Sequence, residues 1–206
     1  HGGDQATLAL EHARALAKAD HENIVKVHFI DSAVHPATGE VVPCVACELV
    51  EGETLGEWLE QRARSNDPLP LAEARRIGLA IIDGVAHIHA RDTVHGDLHN
   101  GNVMIAGETV KVIDLYSAGS LRLLSSIPRH MRVHADVTDL AGLCHELLLS
   151  VRDAEAARLA FGSAVFGRRC SLTEVRAAFD EACRRTGDTP DGAAGAAAAA
   201  VQPAAD

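Results

Sequence analysis

Apolar positions in this chain change from helical to alternating spacing and back, and the changes outline its elements. Over residues 5–19, Ala9, Ala13, Leu16 and Ala17 recur at helical spacing among good helix formers, which predicts a helix. Val25, Val27 and Phe29 then alternate with Lys26 and His28, the pattern of a half-buried strand. Residues 31–40 contain Ser, Pro and Gly and predict a loop, after which the apolar run 41–50 returns as a second, buried strand. Thr54 and Glu57 have the spacing of a capping box and open a short helix that ends before Pro68. From 71 to 91 the stripe Ile77, Ile81, Val85 and Ile88 predicts a long buried helix. A polar loop over 93–101, a strand over 102–105, a turn at Gly107 and Glu108 and a strand over 110–113 follow. Residues 115–135 carry no period and predict an irregular loop. Val137, Leu140, Ala141, Cys144, Leu147 and Leu148 share one helical face. Two shorter helices complete the order, the second opened by Ser171 and Glu174 and carrying Leu172, Val175, Phe179 and Cys183. No internal repeat is found.

Composition narrows the class. The chain has 206 residues, with 19 basic against 29 acidic side chains and a formal charge of −10. An acidic chain lacks the basic footprint that displaces counterions from nucleic acid, and aromatics at 3% give few platforms for bases, so no nucleic-acid partner is expected. No apolar run approaches the roughly 18 residues of a spanning helix, so no membrane partner is expected either. The five cysteines include one pair at metal or redox spacing, Cys44 and Cys47, without a second pair to complete a site. On a strand those two face opposite sides, so the pair is taken as small core hydrophobes in a reducing, cytoplasmic protein. His87, His89, His130 and His134 are expected on helix surfaces or loops, and Lys111 as an ordinary solvated cation. The chain opens on His1 with no signal segment and is read as a fragment, while residues 187–206, rich in Ala with Gly, Pro and Asp, are expected to form a flexible tail.

The chemistry is concentrated in one stretch, His95-Gly96-Asp97-Leu98-His99-Asn100-Gly101-Asn102, between the long helix and a strand. Asp114 ends the following apolar strand, twelve residues after Asn102. A carboxylate at a strand end, across a hairpin from an amide oxygen, offers two hard oxygen ligands to one point, which suits Mg²⁺ completed by water and phosphate. Asp97 is placed to accept the proton of an attacking hydroxyl. Base, amide and metal carboxylate together describe phosphoryl transfer.

These residues resemble the protein kinase family, of the bacterial Ser/Thr kinase type, over about residues 5–185. His95-Gly96-Asp97 with Asn102 is similar to the catalytic loop, and Asp114-Leu115-Tyr116 stands at the place of the Asp-Phe-Gly motif. His21-Glu22-Asn23-Ile24-Val25 resembles the signature that follows the family's C helix. The stretch 47–55 resembles the hinge, with Cys47 as gatekeeper, the backbone of Glu48 and Val50 on adenine, and Thr54 in the same cofactor-binding stretch. Asp136-Val137 with Asp139-Leu140 opens a helix like the family's F helix, whose first Asp braces the catalytic loop. The resemblance implies an α+β protein kinase-like fold: a partial small lobe over 1–50, a mainly helical large lobe over 51–186, and the tail. It implies ATP and Mg²⁺ as cofactors and a protein substrate, with Asp97, His99 and Asn102 catalytic and Asn102 and Asp114 on the metal.

Departures from the pattern set the alternatives. A glycine-rich phosphate loop and the strand lysine are not found before the first helix, and the glutamate position on that helix falls on His12, with Glu11 one residue earlier. Gly96 stands where the family has arginine, which removes a partner for a phosphorylated activation loop. His99 stands where many members carry lysine, and an unperturbed histidine supplies less positive charge near pH 7. The stretch between Asp114 and Asp136 is short and lacks Ala-Pro-Glu. Asp-Leu-His is also how the loop reads in small-molecule kinases of the aminoglycoside phosphotransferase type. The expectation is a Ser/Thr protein kinase when complete, inactive as the fragment. A pseudokinase interaction module and a small-molecule phosphotransferase are the alternatives.

Overall fold

The structure, a computed structural model, describes residues 20–115, 119–120 and 125–185. The helix expected over 5–19 with Glu11 and His12, Tyr116, and the tail lie outside the described residues. The chain enters through residues 21–25, which dock on the body of the molecule. Val25 N–H donates to Val112 O and Val112 N–H to Asn23 O, both at 2.9 Å, and Asn23 Nδ2 donates to Val110 O at 3.0 Å. Strands β1 (Val27–Val34) and β2 (Val41–Cys47) then form an antiparallel hairpin with Val27 opposite Cys47 and Val34 opposite Val41. The strand runs on through residues 31–34, where the sequence predicts a loop. There Asp31, Ser32 and Ala33 pair with Cys44, Pro43 and Val42, so the ladder supplies backbone partners that local turn propensity does not. The connecting turn is confined to 35–40, closed by His35 N–H to Glu40 O at 2.8 Å, with Gly39 at a φ of +71°.

This hairpin is less buried than its apolar pattern predicts. Phe29, Val34 and Val41 are exposed, Cys44 is half-buried and Cys47 is exposed, so the two thiols are not core residues. Cys144 and Cys183 are buried as expected, and burial pushes the Cys183 thiol up to about 11.

The large body is built on helices. β3 (Glu53–Thr54) leads into α1 (Leu55–Arg64), which Thr54 caps with the expected capping box. The long helix α2 (Leu71–His89) buries Ile77, Ile81, Val85 and Ile88 completely, as their spacing predicts. Each such side chain removed from water is worth about 1.5–3 kcal/mol. β4 (Thr93–Val94) pairs antiparallel with β7 (Gly119–Ser120), while β5 (Val103–Ala106) lies between β3 and β6 (Thr109–Val112) in an antiparallel sheet. Helices α3 (Ser126–Leu149), α4 (Glu155–Val165) and α5 (Leu172–Arg185) follow.

Helix α3 starts inside the segment expected to be an irregular loop. Its first turns hold Pro128, whose missing N–H has no intrahelical partner at that position in any case, and Arg129 N–H closes on Ser125 O at 3.1 Å. Ile127 and Met131 there are exposed, so this part of the helix buries no apolar stripe that would mark it as helical. Further along, Val137, Leu140, Ala141, Cys144, Leu147 and Leu148 are all buried, as predicted. α2 forms the centre of the core against α3 and α5. Gly78 of α2 admits the Phe179 ring so closely that a Cβ would lie 2.3 Å from its Cε1. Arg75 of α2 pairs with Asp180 of α5 at 2.6 Å at the edge of the same contact. No helix among the described residues is long and apolar enough to cross a membrane.

Candidate functional site

The site is assembled around one buried carboxylate. Helix α3 carries Asp136, which has no exposed surface. Its Oδ1 accepts from Gly96 N–H at 2.8 Å, and its Oδ2 accepts from His95 N–H at 2.7 Å. His89 Nε2 lies 2.9 Å from the same Oδ2 and donates to it, since an ionised carboxylate only accepts. Burial alone would push this carboxyl up, but the hydrogen bonds from His89, Gly96 and His95 outweigh it and hold the group below the ordinary range. The brace expected of Asp136 is present, and it includes a residue the sequence reading misplaced. His89 sits not on the helix surface but at the C-terminal end of α2, 14% exposed, facing Asp136.

The loop held by Asp136 passes its order to the strand beyond. The His95 ring is fully buried; Nε2–H donates to Ile113 O at 2.9 Å and Nδ1 accepts from Asp97 N–H at 3.3 Å, which together fix one neutral tautomer. Ile113 N–H donates in turn to Asn102 O at 2.9 Å. Both backbone groups of Ile113 are therefore clamped, one by His95 and the other by Asn102. Asp114 follows at once with a φ of +55°, a left-handed conformation that Asp tolerates better than most residues, and its side chain is exposed.

Asn102, 7% exposed, donates from Nδ2 to the Asp97 carbonyl at 2.8 Å and sits 3.1 Å from His99 Nε2. Its nitrogen end is committed to the loop, so Oδ1 is the end free to meet a cation. Asp97 and His99 are each more than half exposed, with His99 Nε2 3.8 Å from Asp97 Oδ2 and His99 Nδ1 accepting from Gly101 N–H at 3.1 Å. Asn100 ties the loop to α3 through Glu146 Oε1 at 2.7 Å. The Asp139 carboxyl is pushed up by partial burial and by the charges of Asp136 and Asp97, so the surroundings of the loop are acidic.

Among the described residues no cluster of three or more His, Cys, Asp or Glu side chains could hold a metal by itself. An amide oxygen and one carboxylate match an ion that keeps water and phosphate in its shell, as Mg²⁺ does, and not a caged transition metal. The donor set fits Mg²⁺.

The hinge-like stretch is anchored at Glu48. Its N–H donates to Lys26 O at 2.9 Å, and its carboxylate accepts from Lys26 N–H at 2.8 Å and pairs with Lys111 Nζ at 2.6 Å. Partial burial opposes ionisation of Glu48, but Lys111 and the Lys26 N–H outweigh it and lower its carboxyl. Lys111 is thus not a solvated cation: it is 16% exposed and also reaches Ile24 O at 3.4 Å. Its position on β6 gave no signal, because the partner lies far away in the chain. The Glu48 carbonyl and the Val50 N–H enter no hydrogen bond among the described residues, which leaves a backbone donor and acceptor for a flat heterocycle. Cys47, expected as gatekeeper, is exposed. Thr54 does not offer its hydroxyl to a cofactor: Oγ1 accepts from Glu57 N–H at 3.2 Å and donates to Glu57 Oε2 at 2.8 Å, so it serves as the cap of α1.

Comparison with known proteins agrees with this geometry. The model of the protein kinase domain matches residues 3–135. The serine/threonine-protein kinase PksC of Streptomyces coelicolor is 34% identical over 103 residues, which is 50% of this chain and 18% of that protein. The serine/threonine-protein kinase PrkC of Bacillus subtilis is 30% identical over 110 residues, 53% of this chain and 15% of that one. The chain thus spans less than a third of the length of these relatives. The structure of the Drosophila melanogaster PAN3 pseudokinase superposes with a TM-score of 0.67 at 16% identity, covering 88% of this chain and 57% of that chain. That likeness bears on the fold, an α+β arrangement of helices and small antiparallel sheets consistent with part of a kinase fold.

Proposed function

The chain belongs to the protein kinase domain family, and from that premise we propose that it is the core of a Ser/Thr-type protein kinase, which transfers the γ-phosphate of ATP to a protein hydroxyl with Mg²⁺. The observation that carries this reading is the clamp through Ile113, which fixes Asp114 relative to Asn102 and, through His95, relative to Asp97. Asn102 Oδ1 and the Asp114 carboxylate would hold Mg²⁺, which when bound neutralises phosphate charge and draws the phosphates to the site. Asp97, exposed at the tip of the loop, orients the acceptor hydroxyl and takes its proton. The Glu48 carbonyl and the Val50 N–H receive the adenine edge. His99 stands beside Asp97 and adds positive charge only in its protonated form.

Two residues favour a second reading, a pseudokinase module that binds a partner: Gly96 and His99 stand in the 95–102 loop where the resemblance implies arginine and lysine. Thermal unfolding of the full-length protein with and without Mg²⁺ and ATP separates the two. The kinase reading expects ATP with Mg²⁺ to raise the melting temperature, and Asp114→Asn to remove the metal-dependent part of the rise. No rise in the wild-type protein moves the pseudokinase module to first place.

A further inference from the structure

We propose that the groove between α3, α4 and α5 is a docking surface for an acidic amphipathic segment of another protein. The groove encloses about 360 Å³, with Ala141, Val165, Phe166 and Val175 among its apolar lining. It continues onto an exposed stripe of α3. Ile127, Met131, His134, Thr138 and Ala141 follow one another at intervals of four, three, four and three residues, which places them on one face of the helix, exposed at Ile127, Met131 and Thr138 and buried at Ala141. Ile127 is 73% and Met131 66% exposed, and the Phe166 ring is 45% exposed at the mouth. Large apolar side chains left open in a line beside a cavity are the usual mark of a protein contact rather than of ordinary surface.

Charge selects the occupant. The chain carries a formal charge of −10, yet residues 163–170 at the edge of the groove and residues 126–135, which lead into it along α3, contain Arg129, Arg132, Arg168 and Arg169 and no Asp or Glu; on the α5 wall Glu174 adjoins the lining residue Val175. Arg129 is held by Asp92, and Arg168 pairs with Glu174 at 3.1 Å. Arg169 is exposed and has no carboxylate partner among the described residues. A cationic rim over an apolar floor, on an otherwise acidic molecule, attracts a carboxylate-bearing segment, while the net charge of −10 on each copy opposes self-association. The occupant is therefore a segment that sets Asp or Glu beside large apolar side chains. This inference stands on the groove alone and does not depend on phosphoryl transfer.

The test is a selection of short random peptides displayed on phage against the full-length protein. Peptides recovered are then measured by fluorescence anisotropy on wild type, Arg169→Glu and Met131→Asp, both exposed positions, with thermal melts confirming that each variant folds. The expected result is enrichment of peptides that combine acidic and large apolar residues, at least about a tenfold loss of affinity with Arg169→Glu or Met131→Asp, and partial recovery on Arg169→Glu when a peptide Glu becomes Lys. The proposal is overturned if no such class is enriched, or if the peptides bind both variants as tightly as wild type. It is equally overturned if the protein dimerises with concentration and Met131→Asp abolishes the dimer, since a second copy then covers the groove.

Discussion

The carboxylate of Asp136 holds the backbone of Gly96, the residue before Asp97, at 2.8 Å from within the core. The same carboxylate takes the His95 N–H, so a side chain from α3 sets the path of the loop that presents Asp97. Asp136→Ala strands two backbone donors and His89 in a place water reaches poorly. The expected cost is about 3 kcal/mol or more in urea unfolding near neutral pH. Because the folded carboxyl is held below its ordinary range, its contribution is complete above the unfolded value near pH 4 and is lost as pH falls through the lower folded value. Asp136→Asn is therefore less stable at neutral pH and shows a flatter acid limb below about pH 4 than wild type. An unchanged acid limb would mean that the brace is not an ionised one.

Thr54 distinguishes a cap from a cofactor contact. Its hydroxyl is engaged on both sides by Glu57, so Thr54→Ala is expected to lower stability by about 1 kcal/mol and to leave nucleotide affinity unchanged, with Thr54→Ser close to wild type in both. Loss of nucleotide binding without loss of stability would reverse the assignment.

The Glu48–Lys111 pair joins the hinge-like stretch to β6. Lys111→Met leaves the Glu48 carboxylate short of its cation, and the expected cost is about 1–2 kcal/mol. Hydrogen exchange over residues 47–51 should quicken more than in α2. A double-mutant cycle with Glu48→Gln reads the coupling directly, and a coupling near zero would mark the pair as incidental.

What the chain reveals before its structure is known follows from how local each signal is. The α2 stripe is legible because Ile77, Ile81, Val85 and Ile88 face one core, and the caps at Thr54 and Ser171 are legible because their partners lie three residues away. The stretch 95–102 stands out since polar groups crowd between two apolar elements. His89 and Lys111 do not stand out: one meets Asp136 at a separation of 47 residues, the other meets Glu48 from 63 residues further along the chain, and neither distance leaves a pattern in sequence. The start of α3 is equally silent, because Ile127 and Met131 there point outward. The extension of β1 depends on its pairing with β2, which overrides the turn-forming residues in it.

The most direct measurement is phosphoryl transfer from γ-labelled ATP to a generic protein acceptor by the full-length protein, alone and as Asp97→Asn, with nucleotide binding followed in parallel. The account predicts Mg²⁺-dependent transfer by wild type and a loss of about a hundredfold or more in Asp97→Asn, with ATP affinity retained. Equal transfer by both proteins, or ATP binding with no transfer by either, would contradict it.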